Sequence, residues 1–337
     1  MLDIPLLLVA IVVVALVFDY TNGAHDSANA IATIVSTKVL SPLLAVTMAA
    51  VLNFFGALLG TEVAHTIGSG IVNPSMIAGC QPLLLAALAG AIGWNVLTWF
   101  LGLPSSSSHA LIGGLIGASI AFGGWHTPRY TVIVEKVVLP LFLSPLLGFA
   151  GAFLLLRVLG RFLVRAHPRA ANDRLRKLQV ASSAFMAVSH GMNDAQKTMG
   201  IISLALVIFH KLPTFSIPLW VRIACALAMT TGTLTGGWKI IKTMGHKIFK
   251  LEPIHGFAAE TAAALVIVTA SHFGAPISTT HVISSSVIGA GSSKRISAVK
   301  WGVAGRMVLA WVLTLPGAAL LGALIFLLLK LGLGSGL

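Results

Sequence analysis

The sequence predicts an all-α polytopic membrane protein made of two inverted-topology repeats with broken helices and re-entrant hairpins. Three observations carry that expectation. Of 337 residues, 57% are hydrophobic and 9% are charged, where a soluble domain carries about 25% charged residues. Windows of ~20 residues are apolar almost throughout, interrupted at Gly, Pro or small polar clusters, as membrane helices require. Three sequence blocks recur in the same order along the chain. The net charge of +13 does not point to nucleic acid, because the basic residues fall in short blocks between apolar spans. Cys80 and Cys225 both lie in apolar context, which excludes a disulfide scaffold and a CxxC metal site. The first apolar run starts at Ile4 with no preceding Lys or Arg, so it reads as a membrane helix and not a signal peptide.

The recurring blocks define a duplication. Asn22-Gly23-Ala24-His25-Asp26-Ser27-Ala28-Asn29 aligns with His190-Gly191-Met192-Asn193-Asp194-Ala195-Gln196-Lys197. His65-Thr66-Ile67-Gly68 aligns with Lys242-Thr243-Met244-Gly245. The longest block runs from Gly102 through Pro104, Ser105, Ser106, Ser107 and Ser108 to His109. It aligns with Gly274 through Pro276, Ile277, Ser278, Thr279 and Thr280 to His281. Residues 1–156 form the first membrane repeat, 157–177 a basic connector and 178–337 the second repeat.

Charge then orients the two copies. Residues 61–82 contain no Lys or Arg, and 119–130 contain only Arg129. The matching stretches of the second copy hold Lys239, Lys242, Lys247 and Lys250, then Lys294, Arg295 and Lys300. Positive residues mark cytoplasmic loops, so equivalent loops fall on opposite sides, the pattern of an inverted repeat in a secondary transporter. The connector, with Arg157, Arg161, Arg165, Arg169, Arg174, Arg176 and Lys177 against one Asp173, is expected to be a cytoplasmic loop, and both termini are expected outside. Cytoplasmic-type charge flanks residues 258–273 and 278–291 on both sides, which predicts a re-entrant hairpin with its tip at 275–280. Copy one repeats this from the other face, with its tip at 104–108. Full crossing by each arm is the competing reading.

Asp26 and Asp194 lie in the apolar stretches 4–37 and 178–210. Each stretch is too long for one straight ~20-residue helix and is interrupted by Gly with Asn, His and Asp, which predicts a helix broken near the bilayer centre. An Asp at that depth costs about 2.5–3.5 kcal/mol on insertion scales, so a cation, a proton or a buried partner is expected to compensate each one. The bland alternative is a structural Asp–Lys pair through Lys197. The carboxamides Asn22, Asn29, Asn193 and Gln196 are hard oxygen donors that favour a functional role. At the tips, Ser and Thr are expected to cap the second arm and leave a helix N-terminus facing an anion. The bland alternative, small hydroxyl residues easing helix packing, does not explain why Pro, hydroxyls and His recur at matched positions. His109 and His281 are paired by the repeat and read as residues that orient the tips, and Glu260 reads equally as a proton carrier or a structural acid.

At these residues the sequence resembles the inorganic phosphate transporter (PiT) family. The family signature Gly-Ala-Asn-Asp-Val-Ala-Asn-Ala is similar to Gly23 through Ala30, and its second copy to Gly191 through Lys197. The hydroxyl-rich hairpin motif matches Pro104–His109 and Pro276–His281, and the resemblance covers essentially the whole chain. It implies inorganic phosphate as substrate, carried by cation symport through a bacterial inner membrane, by a homodimer of a non-enzymatic carrier without a cofactor. It further implies phosphate contacts from Ser105, Ser106, Ser107, Ser278, Thr279 and Thr280, and ion or proton coupling at Asp26, Asn29, Asn193 and Asp194. His25, Gln196 and Lys197 depart from the sodium-coupled pattern. They resemble the bacterial low-affinity, proton-coupled branch, which implies H⁺ over Na⁺ and carriage in part as a divalent metal–phosphate complex. A histidine beside Asp26 can titrate near neutral pH, and an ammonium beside Asp194 can replace one Na⁺. Asp26, Asn29, Asn193 and Asp194 would equally serve a sodium site.

A sulfate permease of the same fold is the nearest alternative, although sulfate lacks the proton that a carboxylate acceptor would recognise. An intramembrane hydrolase would pair a Ser with His109 or His281, but the Gly-x-Ser-x-Gly elbow is missing.

Overall fold

The computed structural model describes residues 5–72, 74–77, 80–164 and 167–333. The termini expected outside, and Arg165 of the connector, lie outside the described residues. Among those described, the chain is helical with no strand. The first half comprises α1 (Leu6–Ser36), α2 (Pro42–Ala57), short α3 (Glu62–His65) running into a π-turn at Thr66–Gly70, short α4 (Pro74–Ile77), α5 (Pro82–Leu101), α6 (Ser107–Gly123), and short α7 (Tyr130–Ile133) leading through Val134–Val138 into α8 (Leu139–Leu163). The second half repeats the order of the longer helices, without α-helices at the places of α4 and α7. It has α9 (Pro168–Ile208), α10 (Leu219–Thr235), short α11 (Trp238–Lys242) with a π-turn at Thr243–Lys247, α12 (Pro253–His272), α13 (Thr279–Lys294) and α14 (Trp301–Leu333).

Local chemistry sets the boundaries. Ser41 caps α2 and is followed by Pro42, whose fixed φ and missing N–H suit a helix start. Pro82 and Pro253 open α5 and α12 in the same way. Both hairpins turn through a glycine at φ +64, Gly102 after α5 and Gly274 after α12, where a Cβ would be strained. Five helical stretches are long and apolar enough to cross a bilayer among the described residues: Leu6–Ser36, Pro82–Leu101, Tyr130–Leu163, Pro253–His272 and Trp301–Gly332. A sixth pairs Pro42–Ala57 with Glu62–Gly70 across a 67° bend. Outward-facing Leu309, Val312, Leu313 and Leu320 on α14 fit a lipid contact.

Two expectations need correction. The polar segments do not break their helices: α1 is continuous for 31 residues and α9 for 41, about 46 and 61 Å at 1.5 Å per residue. Their glycines serve packing instead. A Cβ at Gly23 would lie 2.2 Å from the Met229 carbonyl oxygen on α10, and one at Gly191 would lie 2.2 Å from the Asn53 carbonyl oxygen on α2. Close approach of backbones is the usual use of glycine between membrane helices. Nor, among the described residues, is the basic connector mainly a loop. α8 runs to Leu163 and α9 starts at Pro168, because this Arg-, Leu- and Ala-rich stretch is a good helix former.

The halves interlock. Hairpin α5–α6 packs on α14 of the second half, hairpin α12–α13 packs on α8 of the first, and α1 packs on α10 as α2 packs on α9. The core falls into two apolar clusters. One holds Leu8 to Phe18 of α1 and Met199 to Ile208 of α9; the other holds Ala28 to Ile34 of α1 with Met186 and Ala187 of α9. α1 and α9 thus traverse the clusters in opposite order, and the polar segments of both lie between them.

Candidate functional site

The two hairpin tips meet in that polar layer. Ser106 and Ser278 each accept a bond from the backbone N–H three residues on, at His109 and His281, both at 3.2 Å. These caps start α6 and α13 as expected. The Ser108 hydroxyl donates to the Ile277 carbonyl across the tips at 3.2 Å. The His109 and His281 rings lie 5.0 Å apart between centroids, with His281 stacked on Trp311 at 4.3 Å. None of their four ring nitrogens has a hydrogen-bond partner, so neither pairs with a serine as a hydrolase would require.

The second tip brings its hydroxyls to the two aspartates. Thr279 Oγ1 donates to Asp194 Oδ2 at 2.9 Å, and Thr280 Oγ1 donates to Asp26 Oδ1 at 3.3 Å. Asn29 Nδ2 donates to both threonine hydroxyls, at 3.1 and 2.9 Å. On the first tip, Ser105 donates to Thr98 Oγ1 at 2.8 Å and lies 3.4 Å from His25 Nε2. His25 Nδ1 is 2.7 Å from Asp26 Oδ1. Ser107 is buried with an unpartnered hydroxyl.

Lys197 ties the site together. Its ammonium pairs with Asp194 on its own helix, donates to Ser108 of the first tip, and reaches the Ile277 carbonyl of the second at 3.2 Å. The Asp–Lys pair is therefore within α9, and the link between the two copies runs from Lys197 to the tips. Asn193 turns to Ser271 Oγ at 2.8 Å. Gln196 is not brought to the site: its Oε1 accepts from the Val63 and Ala64 amides at 2.8 and 3.3 Å and anchors α3. With neutral imidazoles, two carboxylates and one ammonium leave the layer one negative charge in excess. An entering anion therefore needs an accompanying cation or proton.

Three features escape sequence reasoning. His190 Nε2 lies 2.9 Å from Asp194 Oδ2, and its Nδ1 is 3.1 Å from Asn53 Oδ1. One ligand atom each from Asp26, His190 and Asp194 falls within 4.8 Å of the others. The Oδ1 atoms of Asn29 and Asn193 are buried and unpartnered. Oxygens of these four Asp and Asn residues suit Na⁺, and adding the His190 nitrogen suits a divalent cation better. The available signal for His190 was its place one helical turn before Asp194. Thr98, which holds His25 and Ser105, carried none. Asp19 belongs to a polar stripe of Asp19, Asn22, Asp26, Asn29 and Thr33, whose 3-and-4 spacing marks one face of α1. Glu260 does have partners: Thr33 Oγ1 donates at 2.5 Å, Gln179 Nε2 at 3.4 Å, and Ser182 Oγ also donates.

The family described as "Phosphate transporter family" (PHO4) matches residues 22–322. A protein of Rhizobium meliloti described as a probable low-affinity inorganic phosphate transporter is 48% identical over 322 residues, covering 95% of this chain and 96% of its own. One of Bacillus subtilis with the same description is 46% identical over 332 residues, covering 98% and 99%. A solved structure titled "The sodium-dependent phosphate transporter" superposes with a TM-score of 0.87 at 23% identity, over 96% of this chain and 99% of that one. At that identity the likeness shows the shared fold.

Proposed function

The chain belongs to the phosphate transporter family, whose members are transporters and not enzymes, and from that premise we propose that it imports inorganic phosphate across a bacterial plasma membrane by proton symport. The observation that carries this reading is the convergence of the second tip's threonines on Asp26 and Asp194, with Lys197 joining Asp194 to Ser108 of the first tip. Phosphate docks between the tips, taking hydrogen bonds from Ser105, Ser106, Ser107, Ser278, Thr279 and Thr280. Ser108 and Lys197, now engaged with each other, are further donors. Asp26 and Asp194, with Asn29, Asn193 and His25 beside them, hold the compensating proton or cation, and His190 joins them when that cation is a divalent metal travelling with phosphate. Phosphate keeps a proton that it can donate to the Asp26 or Asp194 carboxylate, and fully ionised sulfate has none, which favours phosphate.

Alternating access follows from the interlocked halves. The two hairpins enter from opposite faces and move as a unit against the remaining helices once phosphate and cation are both loaded. The copies are inverted, the basic head of α9 is cytoplasmic, and the carrier works as a homodimer. The dimer rests on family resemblance alone.

The test is radiolabelled phosphate uptake into proteoliposomes under a pH gradient or a Na⁺ gradient, with sulfate as competitor. Accumulation driven by the pH gradient without Na⁺ is expected. Accumulation that requires Na⁺ would instead assign the carboxylate and carboxamide oxygens to a sodium ion, and the absence of phosphate uptake under either gradient would overturn the substrate. Thr280→Val removes one donor at the tip and leaves Asn29 a single hydroxyl partner. It is expected to raise the KM for phosphate roughly ten-fold, the loss of one hydrogen bond to a charged group. An unchanged KM would remove Thr280 from the phosphate site.

A further inference from the structure

We propose that Asp19 is a proton-carrying residue of the transport cycle, set apart from the aspartates that meet the hairpin tips. The proposal rests on the proton-symport reading above. Asp19 lies on α1 two helical turns before Asp26 and is fully buried, with neither carboxyl oxygen hydrogen-bonded. Its polar neighbours are Asn22 on its own helix, Thr198 on α9 and the Cys225 thiol on α10. The charged groups that act on it are Asp194 and Lys197, both on α9. Lys197 is already committed to Asp194, Ser108 and the Ile277 carbonyl. Other charged groups on helices packed against α1 lie or are engaged elsewhere: Arg222 of α10 at the Leu58 carbonyl, Lys239 of α11 at the Phe100 carbonyl, Glu260 of α12 at Thr33 and Ser182, and Lys294 of α13 at Glu252, while Lys242 of α11 is exposed. α2 and α5 contribute no titratable side chain.

A structural acid in this core is held by donors, as Glu260 is. Asp19 has no cation of its own and only the Asn22 amide, the Thr198 hydroxyl and the Cys225 thiol beside it, weaker support than the three donors of Glu260, and its anion would face the like charge of Asp194 in a dry interior. A proton on the carboxyl removes that cost. Lys197 gives the proton a link to substrate. An anion arriving between the tips adds negative charge beside Asp194 and draws on the Lys197 ammonium, which favours a proton on Asp19. By linkage, a proton on Asp19 favours the anion to the same degree. Binding of each thus promotes the other, which is what symport requires. In each cycle an O–H bond forms on Asp19 with a proton from the acidic side and breaks to water on the other side, with no change of oxidation state.

The test compares wild type, Asp19→Asn and Asp19→Glu in proteoliposomes. Two readouts are followed: phosphate–phosphate exchange at equal pH, and accumulation driven by an alkaline interior. In Asp19→Asn, exchange is expected to persist within about two-fold while gradient-driven accumulation falls at least about ten-fold, a loss within the ordinary range of coupling between two sites. The pH dependence of exchange should also flatten. Asp19→Glu is expected to keep accumulation with the midpoint of its pH profile moved. Asp19→Asn protein that accumulates phosphate like wild type, or that is folded yet loses exchange as well, would overturn the proposal. If Asp19→Asn does not fold, an unchanged pH profile in Asp19→Glu overturns it. Wild type that shows no accumulation under the pH gradient would instead defeat the proton-symport reading itself.

Discussion

Asp26→Asn is expected to abolish accumulation of phosphate against its gradient while leaving the protein folded. The substitution removes the carboxylate that accepts from Thr280 and contacts His25, and it strands no opposite charge. Asp194→Asn is expected to abolish accumulation too, but at a cost in stability. It leaves the buried Lys197 ammonium without its carboxylate and gives Thr279 at best a neutral amide oxygen as acceptor. Breaking a buried ion pair from one side typically costs about 3–5 kcal/mol. Adding Lys197→Met to Asp194→Asn should recover much of that stability without recovering transport. Thermal unfolding in detergent alongside uptake normalised to folded protein separates the two effects. Wild-type accumulation by either single variant would remove that aspartate from coupling.

Gly23→Val and Gly191→Val are expected to prevent folding of the carrier. Each would place a Cβ 2.2 Å from a carbonyl oxygen of a neighbouring helix, Met229 for Gly23 and Asn53 for Gly191. A backbone atom cannot rotate away as a side chain can, so α1 would have to withdraw from α10, or α9 from α2. Overpacking usually costs about 1–3 kcal/mol and more where the backbone must move. Loss of the monodisperse peak in size-exclusion chromatography is the expected readout. Gly160→Val is the control, because a Cβ at Gly160 meets nothing within 4 Å. A monodisperse Gly23→Val protein with the wild-type melting temperature would show that α1 and α10 do not touch there.

Much of this protein is determined by sequence alone, wherever the controlling interaction is with solvent or with near neighbours in the chain. Scarcity of charge forces the membrane class, since lipid admits few ionised groups. The duplication is legible as matched blocks, and the repeated order of helices agrees with it. The caps at Ser106 and Ser278 are local, made within one helical turn, and so could be read from the Pro-hydroxyl-His pattern. Asp26 and Asp194 stand out because each is an acid in an apolar run.

The tertiary structure decided what depends on the partner across an interface. A glycine beside polar residues can break a helix or seat it against another, and only the presence of α10 and α2 shows that Gly23 and Gly191 do the second. Gln196 and Lys197 are neighbours in the repeated block and both are polar where the chain is otherwise apolar, yet the two side chains leave α9 in different directions. One meets the amides of α3 and the other meets the hairpin tips. Asp19 gains meaning only from the packing of α1 against α9 and α10, which buries it beside Thr198 and Cys225 with no cation of its own, whereas His190 meets Asp194 one turn along the same helix. Periodicity along a single helix reports which face is buried. Chain-distant packing chooses what that face touches, and for a charged group in a dry core the choice of partner is what sets its chemistry.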